Sequence, residues 1–141
     1  MTVVIPGRPV PQPRPQVCRR GGFVRTYTPD NGIVAYRQAV ALMVRSALAG
    51  QKHLGPVELT IRLELTRPPS HWSVTKKRGR VLKSSAPGWV VDADCSNYLK
   101  GIEDCLNGIA WDDDVQIVDV HISKRYGERD RTIITVRRAD P

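Results

Sequence analysis

The sequence predicts an α+β domain in which a small mixed sheet packs with two main helices, in the order strand, helix, strand, helix, strand, strand. Three observations carry that prediction. Val57 to Thr66 alternates apolar and polar residues without a break, two stretches carry apolar residues at helical spacing, and the chain ends in two further alternating runs joined by YGERD. A chain of 141 residues suffices for one domain with a modest core, so residues 1–141 are expected to fold as a single unit.

The first strand is expected at Thr2 to Ile5. It passes into PGRPVPQPRPQ, where prolines forbid helix and impose an extended path, so residues 1–29 read as a Pro/Arg-rich arm. Arg8, Arg14, Arg19, Arg20 and Arg25 cluster along it and are candidate phosphate contacts. Asp30 to Gly50 reads as the longer helix, with Ala35, Ala39, Leu42, Met43, Ser46 and Ala47 as its inward stripe and Gly50 closing it.

Val57 to Thr66 reads as a half-buried antiparallel strand with Val57, Leu59, Ile61, Leu63 and Leu65 inward. Periodicity then fails over residues 67–88, a loop dense in Pro, Ser, Gly and cations. Lys76, Lys77, Arg78, Arg80 and Lys83 form its basic run, with Trp72 at the edge, placed to stack on an opened base. The last strands are Val115 to Lys124 and Arg131 to Arg138. His121 falls on the polar face of the first of them and reads as a surface histidine.

Between the loop and those strands lies VVDADCSNYLKGIEDCLNGIAWDDDVQIV. Ser96 is the expected N-cap of a short helix and Gly108 the residue past its end, which puts Tyr98, Leu99, Ile102, Cys105 and Leu106 on one stripe. Asn97, Lys100 and Asp104 share the opposite side, the last two one turn apart. Asp92 and Asp94 precede the helix and, two apart in extended chain, point the same way; Asp112, Asp113 and Asp114 follow it. A strand returning from the helix is expected to bring the two acidic groups together. Carboxylates so gathered repel and raise one another's pKa unless a cation sits between them, and hard oxygen donors without a local His or Cys partner suit Mg2+ or Mn2+; the alternative is a solvated turn at DDD and a capping box at DAD. Lys100 is placed to neutralise a phosphate.

Composition narrows the partner. The formal net charge is +8 and the isoelectric point about 9.9, so a basic surface surrounds a concentrated acidic cluster, the combination needed to attract a polyphosphate and hold a metal against it. Cys18, Cys95 and Cys105 are odd in number and lack CxxC spacing, which fits a reduced cytoplasmic setting. TVVIPGRPVP after Met1 lacks the pattern of a secretory signal, and no apolar run is long enough for a bilayer. Walker A and GxGxxG turns are absent, so no nucleotide cofactor is expected.

The acidic segment resembles the signature of the RusA family of Holliday-junction resolvases. That pattern is Asp-x-Asp-Asn, a Lys three residues on, an Asp four further, and an Asp-Asp pair before a Gln-containing strand. Asn97, Lys100, Asp104, Leu106, Asn107, Trp111, Asp113, Asp114 and Gln116 fall in step with it, and GRPVPQPRP with RTYTP matches the arm that often opens phage members. One departure stands: Ser96 occupies the position of the Asp before the Asn. Either Asp94 matches the first family Asp, or Asp92-Ala93-Asp94 is the pair with Cys95 and Ser96 inserted; the second keeps three carboxylates.

The resemblance implies a homodimeric, Mg2+-dependent (Mn2+ as substitute) endonuclease of phage or prophage type that binds four-way DNA junctions and resolves them by paired nicks. It further implies Asp92, Asp94 and Asp114 as metal ligands, Asp113 as an additional carboxylate, Lys100 as the phosphate-facing cation and Asn97 among the DNA-facing residues. A metal nuclease of flaps or single strands, or a non-catalytic nucleic-acid binder, are the rival readings.

Overall fold

The computed structural model describes residues 1–140. Its central sheet takes one strand from the start of the chain, β1 (Thr2–Pro6), one from the middle, β4 (Val57–Leu65), and two from the end, β7 (Ile117–Tyr126) and β8 (Arg131–Arg138). The spatial order is β1-β8-β4-β7, with β8 antiparallel to β1 and β4, and β4 parallel to β7. The mixed α+β architecture is therefore as the sequence predicts, except that β4 has one parallel neighbour rather than antiparallel pairing alone. Its alternation works as expected: Val57, Leu59, Ile61, Leu63 and Leu65 are buried.

Two helices cover that inner face. In α1 (Ile33–Leu48) the buried stripe is Ile33, Tyr36, Val40 and Val44, not the expected run through Ala35 and Leu42; Leu42 is 70% exposed. Apolar residues surround nearly the whole helix, so several stripes were available. The one carrying branched and aromatic side chains removes more area from water than one built on alanine. Tyr36 also reaches across the core, its hydroxyl 2.6 Å from the buried Thr132 hydroxyl, and burial pushes the phenol up to about 12. In α2 (Cys95–Leu106) the stripe is the expected one, with Tyr98, Ile102 and Leu106 buried and Leu99 and Cys105 packed at its margin. The residue before the first helical turn is Asp94, not Ser96.

Two segments expected to be irregular contain hairpins. The arm folds into β2 (Gln16–Arg20) and β3 (Phe23–Tyr27) around Gly21-Gly22, both at positive φ, which a two-residue turn of this hand requires. The basic loop holds β5 (Trp72–Thr75) and β6 (Gly79–Leu82), with Lys76, Lys77 and Arg78 at its turn.

On the outer face Glu64 is buried although charged. Its carboxylate accepts from Arg125 on β7 and from Arg131 on β8, so one acid ties three strands.

Candidate active site

Each acidic group sits in a loop held by several polar contacts. At the start of α2, Lys124 from the end of β7 donates to the carbonyls of Asp92, at 3.1 Å, and Ala93, at 2.8 Å. The Asp92 carboxylate accepts from the Tyr98 hydroxyl and from Arg8, each at 3.1 Å, and Asp94 accepts from Arg14 at 3.0 Å. Partial burial pushes the Asp92 carboxyl up, but the Ala93 amide, Tyr98 and Arg8 outweigh it and hold it below its ordinary value. It is ionised at neutral pH.

Beyond the other end of α2 the triplet enters a short 3-10 turn, Asp114–Gln116, rather than opening the strand directly. Buried Trp111 donates its indole N–H to Asp114 Oδ1 at 2.8 Å, which fixes that carboxylate. Gln116 acts as a latch. Its Oε1 accepts from the amides of Asp112 and Asp113, and its Nε2 donates to the carbonyls of His53 and Gly55. Lys52 pairs with Asp112 at 2.9 Å. Lys100, midway along α2, pairs with Asp104 at 3.2 Å, the contact expected from their spacing.

The expected convergence of the two acidic groups does not occur within one chain. A helix of 12 residues is about 18 Å long. The strand that returns along it begins at Ile117 and reaches the Asp92 loop only with Lys124. What comes back beside the first acids is the end of β7; Asp113 and Asp114, at its beginning, stay at the far end. Among the described residues no three His, Cys, Asp or Glu side chains are grouped so as to hold a metal ion. Asp92 with Asp94, and Asp113 with Asp114, thus form two separate pairs of hard oxygen donors, each short of the three carboxylates expected from the sequence.

The cations gather at the Asp92 end. Arg67, at the root of the β5–β6 hairpin, stacks 4.2 Å above Tyr126 at the end of β7, two residues beyond Lys124. Lys76, Lys77 and Arg78 project from that hairpin into solvent, while Lys83 is tied to the Ser70 carbonyl. Trp72 is half-buried with the Arg80 guanidinium 4.4 Å over its ring, so one face is already taken. The backbone of the arm joins this end through the Gln12 amide, which donates to the carbonyl of Asn97. Arg19, Arg20 and Arg25 lie exposed on the β2–β3 hairpin.

Residue spacing alone did not single out Trp111, Gln116 and Lys124 as residues that position the acids. For Lys124 a signal exists: it is in phase with Val120 and Ile122 on the inward face of β7, where a cation needs an acceptor. Glu103 is a further acid missed there, raised by burial and by repulsion from Asp114 and Asp104.

Residues 6–137 match the protein family described as endodeoxyribonuclease RusA. A protein of Bacillus subtilis (strain 168), described as uncharacterized protein YqaN, is 31% identical over 131 residues, covering 93% of this chain and 91% of that protein.

Proposed function

The chain belongs to the RusA family of endodeoxyribonucleases, and on that premise we propose that it is a Mg2+-dependent nuclease that resolves four-way DNA junctions by paired nicks as a homodimer. The observation that carries this reading is the division of the acids into two half-sets at opposite ends of α2. A second copy that supplies the other pair would assemble the larger carboxylate set this reading requires.

The exposed edge of the sheet offers a route. Among the described residues β7 pairs only with β4, and Val118 and Val120 stand exposed along it, with Val115 exposed in the turn just before it. Antiparallel pairing of two such edges about a two-fold axis sets the start of one β7 beside the end of the other. Asp113 and Asp114 of one copy then approach the loop that Lys124 holds in the other, where Asp92 and Asp94 lie. Two complete sites result, related by symmetry, as two matched cuts need.

Bound there, Mg2+ would stabilise charge on the phosphate and activate a water. The residues of the chain do the rest. Trp111 and Tyr98 fix the carboxylates of Asp114 and Asp92, Arg8 and Arg14 are exposed enough to exchange carboxylates for DNA phosphates, and exposed Lys100 turns from Asp104 to the substrate. The basic β5–β6 hairpin grips backbone beside them.

The test compares the wild type with Asp114→Asn on a synthetic four-way junction, a flap and a linear duplex, with Mg2+ or with EDTA. Wild type with Mg2+ nicks the junction in pairs, and Asp114→Asn binds it uncut. Cutting by Asp114→Asn at the wild-type rate removes that residue from the mechanism. Equal cutting of all three DNAs favours a general metal nuclease.

A further inference from the structure

The β2–β3 hairpin is not explained by the fold. All ten of its strand residues are exposed, so neither of its faces is covered by the domain, and an isolated two-stranded hairpin buries little that would hold it together. Yet its shape is well specified. Gly21 and Gly22 close a tight turn, five cross-strand pairs set the register, and the Tyr27 hydroxyl bonds Gln16 at 2.8 Å across the base.

Residues opposite one another in such a ladder point to the same side. Gln16, Cys18 and Arg20 therefore share a face with Tyr27, Arg25 and Phe23. This face is concave, with a trough of about 580 Å3 lined by Cys18, Arg20, Phe23, Arg25 and Tyr27. Phe23, next to the turn, is 76% exposed. An aromatic ring at the tip of a prong, with an arginine before and after it and a second aromatic at the root, is the arrangement that stacks on a nucleobase while holding the phosphates on either side. The charge agrees, since residues 1–29 contain five arginines and no acid. So does the position: Arg14, two residues before β2, is bonded to Asp94, and five residues of strand reach about 17 Å from there.

We propose that this hairpin is a branch-point probe, whose Phe23 stacks on a base left unpaired where DNA strands exchange, with Arg20 and Arg25 on the flanking phosphates. It reads an opened base, which a branched DNA offers and a linear duplex does not, and so discriminates between them before any bond is cut. The proposal rests on the branched-DNA reading above but makes its own demand, because stacking precedes chemistry.

The experiment uses the full-length protein in Ca2+ without Mg2+, with a fluorescent adenine analogue at the branch point of a four-way junction and a linear duplex as control. Wild type is expected to prefer the junction and to change the fluorescence on binding. Phe23→Ala, at an exposed position, is expected to lose about tenfold in junction affinity and most of the fluorescence change, with duplex affinity unaltered; Phe23→Trp restores both. A wild type without preference for the junction overturns the branched-DNA reading and the probe with it. A wild type that discriminates while Phe23→Ala discriminates equally well overturns the probe alone. Phe23→Ala that turns a dimer into a monomer in sedimentation assigns the face to a second copy and also overturns it.

Discussion

Replacing Glu64 by Gln tests how far one buried acid supports the strand that leads from one acidic loop to the other. Its side chain is 5% exposed and accepts from Arg125 and Arg131. The Arg131 hydrogen bond first, then that of Arg125, lowers the Glu64 carboxyl from 4.5 to about 2, against the opposing effect of burial. A folded-state value below the unfolded one stabilises the fold at pH above the unfolded value, and that contribution fades as pH falls through the folded value. For Glu64 the window runs from 4.5 down to about 2. At roughly 1.4 kcal/mol per pH unit the fall is worth about 3 kcal/mol, and solvent around the half-exposed arginines discounts it to about 2 kcal/mol. Near neutral pH, Glu64→Gln should therefore melt about 6 °C lower than wild type. The assay is urea and thermal unfolding followed by circular dichroism across an acid series. The gap should be full near neutrality and close steadily as the medium becomes more acidic than 4.5. A gap that is absent near neutrality, or that stays constant throughout the series, refutes the ionic clamp.

Other outcomes follow from single contacts. Trp111→Phe removes the N–H that holds Asp114 while keeping most of the packing, so junction cutting should fall about tenfold with binding and fold intact; unchanged cutting shows that Asp114 needs no such support. Alanine at Lys76, Lys77, Arg78 and Arg80 should weaken junction binding and reduce the slope of affinity against salt by up to about 0.9 per lost phosphate contact. An unchanged slope frees that hairpin from the DNA.

Much of the scaffold was legible in the residues. The alternation through β4 and the stripe of α2 are unambiguous because each has one apolar face and one polar face. Where a segment has apolar residues on all sides, as α1 does, period alone cannot choose the buried stripe, and side-chain size decides. The hairpin in the arm had a local signal in Gly21-Gly22 flanked by Arg20, Phe23 and Val24, but the prolines upstream dominated the reading of this stretch as an extended arm. The acids were legible as two groups flanking one helix and misread as geometry. A helix followed by an antiparallel return does bring chain back to its origin, but it brings the end of the returning strand, and so Lys124 rather than Asp114.

That geometry makes the two half-sets the centre of the account, and mixing subunits tests it. One chain carries Asp92→Asn with Asp94→Asn, the other carries Asp114→Asn, and each alone leaves a four-way junction uncut. If the sites are completed across two copies, a mixed dimer holds one site with both halves native, and the mixture nicks the junction on one strand. If each chain holds its own complete site, every site in the mixture is broken, and a mixture as inactive as its components contradicts the account.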